Sequence, residues 1–77
     1  MNYLCSSARF KFWNGKNEYT VEYAYGIAMW FVFNTNETNN CLYKKSDNKC
    51  NLEDINYWKA YNVLNEFLET ITNKVNQ

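Results

Sequence analysis

The spacing of hydrophobic residues changes once along this chain. From Arg9 to Tyr23 apolar and polar residues alternate, the period of a half-buried strand. From Tyr57 onward they recur in steps of three and four, the period of a helix. The alternating part breaks at Asn14-Gly15, flanked by Arg9-Phe10-Lys11-Phe12-Trp13 and Glu18-Tyr19-Thr20-Val21-Glu22-Tyr23. Asn-Gly tolerates positive φ at both central positions of a type I′ turn, so it predicts a two-residue β-hairpin. That loop sets Phe12 opposite Asn17, Lys11 opposite Glu18, Phe10 opposite Tyr19 and Ala8 opposite Val21, with Arg9 diagonal to Glu22. Apolar residues then gather on one face, while Arg9, Lys11 and Trp13 share the other with Glu18 and Glu22. The first strand has room to reach back to Tyr3 and set Leu4 against Tyr25.

After Gly26, the run Ile27-Ala28-Met29-Trp30-Phe31-Val32-Phe33 is rich in aromatic and branched residues and predicts a third strand. Ile27, Met29, Phe31 and Phe33 are expected to face the core, leaving Trp30 and Val32 on the open face with Trp13. The polar stretch Asn34 to Asn40 predicts a turn, Cys41-Leu42-Tyr43-Lys44 a short fourth strand, and Ser46-Asp47-Asn48-Lys49 a second turn. Tyr57, Tyr61, Leu64, Leu68, Ile71 and Val75 form a helical stripe, widened by Ile55, Ala60 and Phe67. Lys59, Asn62, Glu66, Glu69 and Asn73 lie opposite it. Asn51 is the expected N-cap and Asp54 its N3 partner; Glu53 and Lys74 complement the two ends of the helix dipole. The expected fold class is α+β: one domain over residues 1–77, with a three- or four-stranded antiparallel sheet in 1–45 and an amphipathic helix in 51–75 packed across one sheet face.

Composition sharpens this picture in two ways. Three Trp, seven Tyr and five Phe in 77 residues give a short chain a large apolar payload. The absence of His removes the usual general base and the commonest metal ligand. Ser–His and Cys–His arrangements are therefore excluded, and Gly15 and Gly26 are too isolated to form a phosphate loop. Neither Glu53-Asp54 nor Glu66 with Glu69 demands a two-carboxylate cleft. The expectation is a protein that is not an enzyme, with no catalytic residues, no cofactor and no metal. Cys5, Cys41 and Cys50 are odd in number and lack a C-x2-C pair, which favours free thiols over zinc. A bridge between Cys41 and Cys50 would close a short loop, with a contribution of about 2.5–3 kcal/mol.

Eight basic and eight acidic residues cancel, and no like-charge run exceeds two residues. Such scattered charge lacks the basic footprint of a nucleic-acid binder and does little to oppose self-association, a homodimer included. Met1 to Ser7 lacks the pattern of a signal peptide, and the longest apolar run, Ile27 to Phe33, is far shorter than the ~20 residues of a membrane span. A cytoplasmic location with no membrane partner is expected, the host cytoplasm if the chain is viral. Its many Asn, Lys and Tyr residues match the coding style of AT-rich genomes, as in viruses and mobile elements.

An open sheet face carrying Trp13, Trp30 and Val32, with Arg9 and Lys11 beside them, would be an apolar patch of the kind that marks interfaces. The leading expectation is a small protein-binding module that acts by occlusion. In type, though in no residue-by-residue motif, it resembles the inhibitors that phages and mobile elements use against host defence, anti-CRISPR proteins among them. The expected partner is a protein such as a host nuclease or a ribonucleoprotein complex. The rival is a single-stranded nucleic-acid binder in which a base stacks on Trp13 between Arg9 and Lys11, although Glu18 and Glu22 offset those cations. A homo-oligomeric structural protein is the third reading.

Overall fold

A computed structural model describes residues 7–48 and 51–75, with side chains to Thr72. Four strands, β1 (Ser7–Asn14), β2 (Asn17–Ala24), β3 (Met29–Asn34) and β4 (Cys41–Ser46), precede a 3-10 turn at Leu52–Asp54 and a helix, α1 (Tyr57–Val75). The strands form one antiparallel sheet in the order β1-β2-β3-β4, and α1 crosses one face of it, an α+β fold. The expected pairing of Leu4 with Tyr25, the Cys41–Cys50 bridge and the roles of Lys74 and Val75 lie outside the described residues and side chains.

The hairpin forms where the alternation breaks, but its register is two residues away from the expected one. Asn14 pairs with Asn17, so the loop is Gly15-Lys16, with Gly15 at φ 65°. Positive φ at the first loop position alone is the type II′ pattern, in which glycine occupies that position. Phe12 therefore opposes Tyr19, Phe10 opposes Val21 and Arg9 directly opposes Glu22. A slip of two residues keeps every side chain on its face, so the expected division between the two faces of the hairpin holds. It replaces an apolar-to-Asn pair with Phe12–Tyr19 in the core.

The facing of β3 is reversed from expectation. Opposed residues in an antiparallel pair share a face, and β3 joins β2 with Val21 against Val32 and Tyr23 against Trp30. Trp30 and Val32 thus lie under the helix at 0% exposure, while Met29, Phe31 and Phe33 occupy the other face, each only half-buried. The loop before β3 sets this parity. Residues 25–28 form the turn, with Ala28 at φ 51° and its carbonyl accepting from the Asp47 N–H at 2.9 Å. Ile27 is spent in that exposed turn instead of opening the strand.

The core is Phe12, Tyr19, Val21, Tyr23, Trp30 and Val32 from the sheet against Ala60, Val63, Leu64 and Phe67 from α1. These helix positions keep the spacing of three and four but lie to one side of the expected stripe. Tyr57, Tyr61 and Ile71 are consequently exposed. The helix also starts later than expected. Asn56 caps it, with its side-chain Oδ1 accepting the Lys59 N–H at 3.0 Å, whereas Asn51 makes no capping bond from its side chain.

The two sheet edges differ. β4 is short, carries Lys44 and Lys45, and is bulged where the pairing shifts from Val32–Tyr43 to Phe33–Cys41, leaving Leu42 as the extra residue. β1 is eight residues long and pairs with β2 without a bulge.

Candidate functional site

Each flank of α1 has its own chemistry. Toward β4 it is polar. The Lys45 ammonium donates to Glu66 Oε2 at 2.8 Å and the Tyr43 hydroxyl to Glu66 Oε1 at 3.1 Å, so Glu66 bridges to the sheet instead of lying on a solvated face. Burial, then the bond to Glu66, raises the Tyr43 phenol above its usual value; the same carboxylate raises the Lys45 ammonium. Nearby, Asp47 accepts the Trp30 indole N–H on Oδ2 at 3.1 Å and pairs with Lys59 at 3.7 Å, while its carbonyl accepts the Tyr23 hydroxyl at 3.1 Å.

Toward β1 the flank is aromatic. Phe12 sits 4.9 Å from Tyr57 and 5.9 Å from Tyr61 between ring centroids, and Trp58 closes the cluster edge-on at 5.8 Å from Tyr57 and 6.5 Å from Tyr61. Trp58 is 72% exposed, Tyr57 51% and Tyr61 42%, and Trp13 on the adjoining rim of β1 is 70% exposed. Between strand and helix runs a groove of about 300 Å3, floored by Phe12, Leu64 and Leu68 and bounded by Lys11, Trp13, Tyr57 and Tyr61. Large rings held this open to water lose hydrophobic free energy that a covering surface would recover.

The open sheet face divides the expected site. Arg9, Lys11 and Trp13 lie there together, all exposed, but Trp30 and Val32 do not join them because β3 turns both into the core. Arg9 Nε meets Glu22 Oε2 at 3.3 Å, which offsets that cation. Lys11 opposes Thr20, not Glu18, and makes no salt bridge among the described residues. Beside them Phe33, Thr35 and Thr38 help to line a shallow concavity of about 500 Å3, where Thr20 and Thr35 share a hydroxyl–hydroxyl bond at 2.8 Å.

Sequence reasoning placed Tyr57 and Tyr61 in the core and passed over Trp58. One signal was present. Ala60, Val63, Leu64 and Phe67 have the i, i+3, i+4, i+7 spacing of a complete stripe, which turns Tyr57 and Tyr61 to one side of it and Trp58 to the opposite, exposed face.

Among the described residues no group of three or more Cys, Asp or Glu is placed to hold a metal ion, and no helix is long and apolar enough to cross a membrane. Among the described residues Cys41 is an exposed thiol without a disulfide partner, its Sγ 3.2 Å from the Tyr43 carbonyl. No protein-family model matches this chain, and neither the curated proteins nor the solved structures contain a match to it.

Proposed function

We propose that this chain is a non-enzymatic protein-binding module that works by occlusion, lying on a larger partner through the aromatic flank where β1 meets α1. The observation that carries the reading is the exposed set Trp13, Tyr57 and Tyr61 around one groove of mixed polar and apolar lining, with Trp58 stacked edge-on against both tyrosines. Trp and Tyr are the residue types most enriched in binding hot spots, and a pocket between two rigid elements holds such anchors in place. Zero net charge and short length suit a protein whose task is to cover a surface. The use we propose is inhibition of a host nuclease or ribonucleoprotein complex by a phage or mobile-element protein, a reading that rests on the short, net-neutral, Asn- and Lys-rich composition of the chain.

The test is recovery of partners from lysate on the tagged full chain, with and without nuclease. A stoichiometric protein that survives nuclease and is lost on Trp58→Ala and on Trp13→Ala is the expected result. Recovery of nucleic acid that depends on Arg9 and Lys11, or capture indifferent to both Trp variants, would overturn the reading.

A further inference from the structure

We infer that β1 is a docking edge for an extended segment of a partner protein. That segment would join the sheet as a fifth strand, with acidic side chains on one face and apolar side chains on the other. The inference rests on the protein-binding reading above and names the chemistry of the partner.

Three observations meet at this edge. The first is the free ladder. β1 pairs only with β2 among the described residues. In a hairpin closed by two residues the flanking pair, here Asn14 and Asn17, exchanges both hydrogen bonds, and the bonded and non-bonded pairs then alternate. Phe12 and Phe10 therefore direct their N–H and C=O groups toward β2. Those of Arg9, Lys11 and Trp13 point outward, in the spacing that an added strand requires. The other edge lacks this offer, because β4 is short, bulged at Leu42 and carries Lys45 turned toward the helix, all devices that discourage strand addition.

The second observation is the groove. A strand laid along β1 would place alternate side chains beside Phe12, Tyr57, Tyr61 and Leu68, where the space of about 300 Å3 lies. Those side chains must be apolar to gain from it.

The third is charge. From Ser7 to Lys16 the chain holds Arg9, Lys11 and Lys16 and no acidic residue. Arg9 is already paired with Glu22 at 3.3 Å, but Lys11 opposes Thr20 and makes no salt bridge among the described residues, so the residue of an added strand beside Lys11 sits best as Asp or Glu. The same charges argue against a second copy. Antiparallel pairings of β1 with itself that are centred on Arg9, Phe10 or Lys11 set Arg9 against Arg9, Arg9 against Lys11, or Lys11 against Lys11, and like charges directly opposite one another destabilise a sheet.

The experiment uses the full chain, labelled for NMR, and an N-acetylated, C-amidated peptide about eight residues long that alternates Glu with Phe and Val to match the length of β1. Binding should move the amide signals of Arg9, Lys11 and Trp13 and slow their hydrogen exchange. Replacing every Glu by Lys should weaken the peptide at least about tenfold, and Lys11→Glu should reverse that preference. Methylating alternate peptide nitrogens on the ladder side should abolish binding without touching the protein's own fold. The inference is overturned if the Lys peptide binds as well as the Glu peptide, or if exchange at the β1 edge stays unchanged at saturation. It is equally overturned if β1 is protected without peptide in proportion to protein concentration, which would give the edge to a second copy. Capture of a protein partner that needs Trp58 and Trp13, alongside a peptide that leaves β1 untouched, would sink this inference and leave the protein-binding reading standing; failure of both would remove that reading too.

Discussion

Replacing Asp47 by Ala takes away the acceptor for the Trp30 indole N–H, 3.1 Å from the Asp47 carboxylate. Trp30 is fully buried, so the substitution leaves its indole N–H without this protein acceptor. A buried donor left unsatisfied costs about 1–3 kcal/mol. Loss of the 3.7 Å pair with Lys59, whose side chain is 40% exposed, adds less than about 1 kcal/mol. The Tyr23 hydroxyl bond to the Asp47 main-chain carbonyl survives the substitution. A total near 2 kcal/mol should lower the melting temperature by about 8–16 °C for a domain of this size. Asp47→Asn keeps an oxygen where the indole needs one and loses only the ion pair, so its cost should stay under about 1 kcal/mol. Thermal and urea unfolding followed by circular dichroism and tryptophan emission measure both variants. If the Ala and Asn variants are equally stable, or if Asp47→Ala lies within about 0.5 kcal/mol of the parent, the carboxylate does not satisfy Trp30 and the reasoning is refuted.

Other perturbations separate the core from the exposed rings and the strained turn. Trp30→Ala should cost about 3–5 kcal/mol, enough to unfold much of a marginally stable short domain at 37 °C, whereas Trp58→Ala should leave unfolding within about 0.5 kcal/mol of the parent; calorimetry of the two variants distinguishes them. Ala28→Val, which forces a branched side chain into φ 51°, should destabilise by at least about 1 kcal/mol, while Ala28→Gly should be neutral or better in denaturant titrations. The Tyr43 and Lys45 protons are both held more tightly in the fold than at their ordinary values of 10.0 and 10.5. Their contribution is therefore complete below about pH 10 and is lost as pH rises through the raised values. Unfolding free energy plotted from pH 8 to pH 12 should fall on that alkaline limb, and Glu66→Gln should make the fall shallower; an unchanged limb would show that Glu66 is not its cause.

Much of this fold was legible in residue pattern because the decisive signals are local. Alternation from Arg9 to Tyr23, the Asn-Gly break and the change of period at Tyr57 each depend on neighbours a few residues apart. The facing of β3 was not legible in that way. Ile27 to Phe33 offers large apolar side chains at both parities, and the choice between them is made by a turn with a left-handed Ala28 and by an acceptor from beyond β4, Asp47. The hairpin register was missed for a related reason. Asn-Gly and Gly-Lys are overlapping two-residue turns, and pairing Phe12 with Tyr19 in the core favours the second. Of the candidate site, Trp13, Arg9 and Lys11 were placed correctly on the open face because the slip was by two. Trp30 and Val32 were lost with the parity of β3, and Trp58 emerged only once the helix stripe was centred on Val63 and Leu64.

The unlike edges of the sheet fix how many neighbours it can recruit. A sheet with two receptive edges has a valence of two, and head-to-tail addition of such units can run on into a filament. Here the bulge at Leu42 and the lysines of β4 discourage addition at one end, which leaves β1 as the more receptive edge among the described strands. Copies of the chain therefore lack, among the described strands, the second receptive edge that stacking sheet on sheet into a continuous ladder would require.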